Sequence, residues 1–159
     1  MNSWTSPTKG KLSMMEIINE IIEYVRQDLN DSYEVRIGTD SQKHGRSYVF
    51  VTSIILRRVG KGARFFYKKE YRPSRISIEE RMWAEAVLSL DYARELASEI
   101  LNEKIPGDVR MCLDLDLGVN GETKKFVKAI TGMVSSYGFS TDIKPYSYAA
   151  SCVADKYAR

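Results

Sequence analysis

Acidic side chains stand at several places where neither strand nor helix propensity calls for them. Asp40 follows the alternating, β-rich run "YEVRIGT", and Asp114 and Asp116 follow the strand-like run "VRMCL". Asp155 lies in the helix-like end of the chain, "SCVADKYAR". Taken singly, each has an ordinary explanation as a turn residue, a cap or a solvated acid. Carboxylates that converge from separate elements repel one another, however, and are costly unless a cation neutralises them.

The ligand type that these residues offer indicates which cation would suit them. They provide carboxylate oxygens with no His or Cys in the set, and such hard ligands favour Mg²⁺ or Mn²⁺. Two such ions would activate a water and stabilise the leaving oxygen of a phosphodiester. Asp114 and Asp116 are two residues apart, so in an extended chain they point to the same face. Either of them could therefore join the set.

A long helix, from about Ile78 to about Asn102, adds glutamates to this group. Its buried stripe is predicted from the helical period and contains Ile78, Met82, Ala93, Leu96 and Ile100. Glu85 lies on the rim of that stripe, whereas Glu80 lies on the far side, three residues after Ser77, where a capping box explains it. Glu85 is the better candidate for a site against the sheet, and Glu80 stays open as the alternative.

The elements that must position these acids follow from hydrophobic periodicity and turn residues. A leading helix begins after Ser13, and residues 1–12 are expected to form a flexible tail. The predicted strands span residues 33–39, 47–56, 63–71, 109–115 and 139–144, and the later helices about 78–102, 122–137 and 147–159. This order predicts an α/β domain over residues 13–159. Its five-stranded mixed sheet has a three-strand antiparallel meander, two parallel strands, flanking helices and an extra N-terminal helix.

Length and composition place limits on the class of protein. The 159 residues suit one domain with one core, and no apolar run is long enough to cross a bilayer. The first residues lack the apolar centre of a signal peptide, so a cytoplasmic protein is expected. The net charge of +3 permits nucleic-acid binding without arguing for it.

Positive charge is concentrated in the stretch from Arg57 to Arg75, where Glu70 is the only acid among eight Lys and Arg. Its aromatic residues could stack on bases while the basic residues follow a phosphate backbone. The stretch could equally be a solvated hairpin whose aromatics face the core. Lys124, Lys125 and Lys128 present the same choice between a second basic surface and the polar face of an amphipathic helix.

The element order resembles the ribonuclease H fold, and four sequence stretches carry the resemblance. "IGTDSQ" is similar to that superfamily's first-strand Thr-Asp-Gly-Ser motif, "LDLDLG" occupies the place of the acid ending the fourth strand, and "VADKYAR" is similar to the last-helix motif. With "ISIEERMWAEAVLSL" and "DLGVNGETKKFVKAITGMVSSYG", the chain resembles the YkuK-like family of predicted ribonuclease-H-related nucleases.

The resemblance implies a four-acid site with two divalent ions, Mg²⁺ or Mn²⁺. Asp40 would bridge the two ions, Glu85 and Asp116 would hold the ion near the leaving 3′ oxygen, and Asp155 would hold the ion that activates water. The implied reaction is hydrolysis of RNA, an RNA–DNA hybrid or structured DNA, leaving a 5′ phosphate. Substrate contacts are expected from three further residues, Ser41, Gln42 and Lys124.

Two further points complete the expectations from sequence. Typical ribonucleases H have Gly-Ser after the first acid, whereas Ser41-Gln42 follows here, and His44 is read as a turn residue. The alternative to a nuclease is a non-catalytic nucleic-acid-binding or scaffold module that keeps the fold. A partner-binding adaptor without a nucleic-acid role is a third hypothesis. Oligomeric state has no signature in the sequence.

Overall fold

The fold is an α/β arrangement in which one sheet carries helices. A computed structural model of the chain describes residues 3–73, 75–103, 108–117, 121 and 124–143. Within these residues the elements are β1 (Trp4–Ser6), β2 (Gly10–Leu12), α1 (Met14–Arg26), β3 (Ser32–His44), β4 (Ser47–Arg58), β5 (Gly62–Pro73), α2 (Ile78–Glu103), β6 (Asp108–Asp114), α3 (Lys124–Ser136) and β7 (Ser140–Asp142). The predicted final helix over residues 147–159, with Asp155, lies outside the described residues.

The sheet is mixed, as the sequence predicts. Its strand order is β2-β1-β5-β4-β3-β6-β7. Strands β3, β4 and β5 form the antiparallel meander, while β3 with β6 and β6 with β7 are parallel pairs. A two-residue turn joins β3 to β4, and Gly45 has φ 63° at its first position, where a β-branched or bulky residue would be strained.

The predicted number of strands is wrong, because the described residues form a sheet of seven strands and not five. The two additional strands, β1 and β2, lie in the segment predicted as a tail. They form a hairpin that pairs with β5 through Thr5 and Tyr67. Trp4 is 1% exposed and makes an edge contact with the ring of Tyr92, at 4.9 Å between centroids. Three-residue strands are too short to show a period, so burial of this tryptophan was not readable from the pattern.

Helix α1 follows its predicted signals. Ser13 caps it by accepting a hydrogen bond from the Glu16 amide at 3.2 Å. The apolar side chains recur at helical spacing and are buried, as Ile17, Ile18, Ile21, Ile22 and Val25. The helix contacts α2 and β2. The interpretation of α1 as an addition to the ribonuclease H fold remains a prediction.

Helix α2 positions the site, because it packs directly on β3. Apolar residues of its inner side are buried in the core, among them Met82, Ala86, Leu90, Ala93 and Leu96. A seam of buried hydroxyls fixes the contact: Ser89 donates to Thr39 Oγ1 at 2.8 Å, and Thr39 Oγ1 lies 2.9 Å from Thr52 Oγ1. Ile78, predicted in the buried stripe, is instead 41% exposed at the first position of the helix. None of the described helices is long and apolar enough to span a membrane.

Candidate metal centre

Three of the predicted acids meet at one place. Asp40 of β3, Glu85 of α2 and Asp116, just after β6, each offer a carboxylate oxygen, and these atoms lie within 4.8 Å of one another. Asp40 and Asp116 are half-buried, and Glu85 is 8% exposed. We call these three residues the acid triad. The fourth predicted acid, Asp155, lies outside the described residues.

Asp40 was predicted to follow the end of a strand, but it lies inside one. Strand β3 runs to His44, and Asp40 pairs with Val51 in the hairpin with β4. The turn-like segment after Asp40 stays in the sheet because each of its residues up to His44 pairs with a residue of β4. Hairpin pairing has therefore overridden local propensity. His44 is exposed beside the turn.

The parallel pairing of β3 with β6 explains why Asp40 and Asp116 come together. Its last register pair is Gly38 with Asp114. Asp40 is two residues beyond Gly38, and Asp116 is two residues beyond Asp114. Two neighbouring chains that advance in parallel from a common register remain near each other over so short a distance. The two acids thus lie at the same end of the parallel β3–β6 pair.

Asp114 and Asp116 line one small cavity together with Glu85, but they fall into different groups of potential metal ligands. Asp114 is 0% exposed and forms an ion pair with Arg36. Arg36 also contacts Asp142 at 2.7 Å and Glu34 at 2.5 Å. Asp114 is therefore part of an ion-pair network, and Asp116 belongs to the acid triad.

A second group of potential metal ligands consists of Cys112, Asp114 and Asp142, again with ligand atoms within 4.8 Å. The guanidinium of Arg36 already provides the positive charge for this group. It forms ion pairs with Asp114 and Asp142, and its Nη1 lies 3.7 Å from the Cys112 sulfur. Burial lowers the pKa of Arg36, but its carboxylate partners outweigh burial and hold that pKa above its ordinary value. Burial raises the pKa of the Cys112 thiol to about 12, which keeps it neutral and a poor metal ligand. Sequence analysis missed Arg36; its signal is a charge inside the apolar run "VRI".

Ser41 connects two members of the acid triad. Its hydroxyl donates to Glu85 Oε1 at 2.5 Å, and its amide donates to Asp40 Oδ1 at 2.9 Å. Ser41 is 6% exposed, so its position suits orientation of these acids better than the predicted contact with substrate. Gln42 is half-buried. Lys124, exposed at the first position of α3, lines a surface groove with Ile78, Gly121 and Lys125.

The environment of Glu85 disfavours its charge. Burial, together with the charges of Asp40 and Asp116, raises the pKa of Glu85 to about 8 against the opposing effects of the hydrogen bond from Ser41 and the charge of Arg81. Without a cation, Glu85 is therefore largely protonated at neutral pH. A divalent ion at the acid triad would favour the ionised form and release that proton.

Glu80, the alternative helical acid, lies outside this centre. It is exposed, and its amide donates to Ser77 Oγ at 3.1 Å, as expected for a residue in a helix cap. The structure thus brings Glu85, and not Glu80, beside Asp40 and Asp116.

The basic stretch from Arg57 to Arg75 is occupied largely by contacts within the protein. Ion pairs join Arg57 to Glu34, Arg58 and Lys61 to Asp31, and Arg64 to Glu20. Cation–π contacts place Arg58 and Arg64 over Tyr24, Lys68 over Tyr92 and Arg72 over Phe50. These contacts favour the structural interpretation of the hairpin over that of a backbone-binding surface.

Comparison with known proteins agrees with this architecture. A sequence model described as Ribonuclease H-like matches residues 16–159. The chain is also 28% identical over 167 residues to the uncharacterized protein YkuK of Bacillus subtilis (strain 168), covering 96% of this chain and 94% of that protein. The match with the family model covers most of the chain, including the acid triad. The chain therefore belongs to the ribonuclease H-like family, and within it to a YkuK-like group.

Proposed function

We propose that the protein is a divalent-metal-dependent nuclease that hydrolyses phosphodiester bonds in RNA, an RNA–DNA hybrid or structured DNA. The observation that carries this proposal is the acid triad: carboxylates of a strand, a helix and a strand-end segment lie within 4.8 Å of one another. Like charges brought together at this distance oppose folding. A protein that keeps them together gains a cation-binding site in exchange.

The donor set fits Mg²⁺ or Mn²⁺. All three ligand atoms are carboxylate oxygens, and Glu85 is buried beside two other carboxylates, where a cation relieves the repulsion. Ions bound here would supply an activated water and would stabilise the leaving oxygen of a phosphodiester. Asp40, Glu85 and Asp116 would hold the metal, with Asp155 as the proposed fourth ligand.

The protein's own side chains prepare the site. Ser41 holds the Glu85 carboxyl group and the Asp40 carboxylate in fixed orientations. The hydroxyl seam at Thr39 and Ser89 fixes α2 against β3 one turn further along the helix. Preorganised ligands of this kind lose little free energy to rearrangement when they bind.

The alternative of a non-catalytic binding module depends on the basic hairpin as its nucleic-acid surface. Several cations of that hairpin already contact carboxylates of the protein, as in the pairs Arg58–Asp31 and Arg64–Glu20. The nuclease is therefore the better-supported function. The cytoplasmic location expected from the sequence remains a prediction.

The test combines calorimetry with cleavage assays. Wild type should bind Mn²⁺ and cleave at least one of labelled RNA, hybrid or branched DNA, with activity abolished by EDTA. Asp40→Asn should lose both properties, whereas Asp91→Asn, which removes an exposed acid of α2, should keep both. Binding of these substrates without cleavage in any divalent metal would contradict the nuclease and favour the binding module.

A further inference from the structure

Arg81 of α2 lies at the edge of the acid triad, four residues before Glu85. Its guanidinium lies over the ring of Tyr48, 4.9 Å from the centroid, near the β3–β4 turn. Its Nε atom is buried and has no hydrogen-bond acceptor among the residues that the structure describes. In the part of the chain that the structure describes, Arg81 forms no ion pair with an acid. A buried donor without an acceptor is costly, so it calls for an explanation.

Other half-buried or buried arginines differ from Arg81 in this respect. Arg36 and Arg64 form ion pairs with carboxylates. Arg58 also has a buried Nε without an acceptor, but its Nη2 donates to the Tyr24 carbonyl at 3.0 Å and to Gln27 Oε1 at 3.3 Å. Those arginines serve the fold. Arg81 is oriented by the face of Tyr48, and none of the described residues accepts a hydrogen bond from its Nε.

Position connects Arg81 with the acid triad. Glu85 follows it by four residues, so the two side chains are neighbours on one side of α2. Electrostatics agrees, because the charge of Arg81 lowers the pKa of Glu85 against the larger opposing effect of burial. Three residues before Arg81, the exposed Ile78 lines the groove shared with Lys124 and Lys125. Positive charge thus leads from the groove towards the triad.

We propose that Arg81, oriented on Tyr48, is a phosphate-binding subsite for the nucleic-acid strand that the acid triad acts on. A guanidinium presents its donors in a planar fork that matches two oxygens of a phosphate. The open groove beside Lys124 and Lys125 gives the strand a path on the same side. This inference rests on the proposed function for the identity of the ligand, but its test reads binding and not cleavage.

The experiment measures binding of short fluorescein-labelled single-stranded RNA and DNA by anisotropy across a salt series, in EDTA and in Ca²⁺. Arg81→Met keeps the stem over Tyr48 and removes the charge. We expect roughly tenfold weaker binding, as for the loss of a charge-assisted hydrogen bond. The slope of log affinity against log salt should fall by about 0.7, the value for one phosphate contact on a single strand.

Arg94→Met is the matched control. Arg94 is also an arginine of α2 that lies over a tyrosine, at 4.7 Å from the centroid of Tyr137, but it is 13 residues further along the helix. It should bind like wild type. Arg81→Lys keeps the positive charge but loses the planar guanidinium. It should bind more weakly than wild type, with an unchanged salt slope. If Arg81→Met does not fold, Arg81→Lys is the variant that tests the proposal.

The outcomes separate this inference from the nuclease proposal. Loss of affinity in Arg81→Met but not in Arg94→Met supports the subsite, even if wild type cleaves nothing and binds no Mn²⁺. Equal affinity and slope in wild type and Arg81→Met overturn the subsite, even if Mn²⁺-dependent cleavage is present. Equal losses in both variants, or no binding of either probe by wild type at low salt, overturn it as well.

Discussion

The hydroxyl of Ser41 lies 2.5 Å from Glu85 Oε1 and joins a strand residue to a helix residue 44 positions further along the chain. The amide of the same serine holds Asp40 at 2.9 Å. One residue therefore sets the relative position of two proposed metal ligands. Its contribution can be measured separately from theirs, because Ser41 is not itself a proposed ligand.

Ser41→Ala should weaken Mn²⁺ binding without abolishing it. Loss of a hydrogen bond that orients a ligand costs about 10–100-fold in metal affinity in comparable sites. Isothermal calorimetry measures the effect, and Ser41→Thr, which keeps the hydroxyl, should restore much of the affinity. The exposed Ser98→Ala is the control. Wild-type affinity in Ser41→Ala would show that the hydrogen bond does not orient Glu85 for metal.

Glu85→Gln should stabilise the metal-free protein at high pH. Burial raises the pKa of Glu85 from 4.5 to about 8, so the folded state binds more protons than the unfolded state between these values. Wild-type stability therefore falls as pH rises from about 4.5 to about 8, by an amount on the order of a few kcal/mol, and then levels off. Glu85→Gln removes this dependence.

Urea denaturation in EDTA across this pH range measures that difference. The exposed Glu80→Gln is the control, because its side chain lies outside the acid triad, and it should show the wild-type pH dependence. A wild-type pH profile in Glu85→Gln would contradict the assignment of the buried carboxyl group to this position.

Arg36→Met should strongly destabilise the fold, because it leaves the fully buried Asp114 without its ion-pair partner. Breaking a buried pair on one side costs about 3–5 kcal/mol. Urea denaturation checks this value. The double variant Arg36→Met/Asp114→Leu should recover part of the loss, since both charges are then absent. Equal stability of wild type and Arg36→Met would show that the network does not support the sheet.

Trp4→Ala should destabilise the protein by about 3–5 kcal/mol, the usual cost of truncating a large buried aromatic residue. Trp4 is 1% exposed and contacts Tyr92 of α2, so the N-terminal hairpin is part of the core. Thermal and urea unfolding measure the loss. The exposed Lys9→Ala, in the same hairpin, should have a much smaller effect. Unchanged stability in Trp4→Ala would restore the interpretation of these residues as a tail.

Strand-end and helix-rim positions made Asp40, Asp114, Asp116 and Glu85 candidates, and the resemblance to ribonucleases H selected Asp40, Glu85 and Asp116 among them. The local pattern did not separate Asp114 from Asp116, because that depends on where pairing with β3 ends and on Arg36, 78 residues earlier in the chain. Long-range ion pairs leave no local pattern. The extension of β3 past Asp40 was missed for the same reason: its partner strand, and not its own residues, keeps it extended.

The unequal lengths of β3 and β6 have a consequence for how this fold can vary. From Gly38, where the parallel pairing ends, β3 continues for six residues to His44, about 20 Å of extended chain. Asp40 lies near the base of this projecting arm, and the turn at Gly45 and Arg46 lies at its tip. Exposed tips of this kind tolerate insertion and exchange of residues. The arm can therefore change in length or charge while the register that positions the carboxylates stays the same.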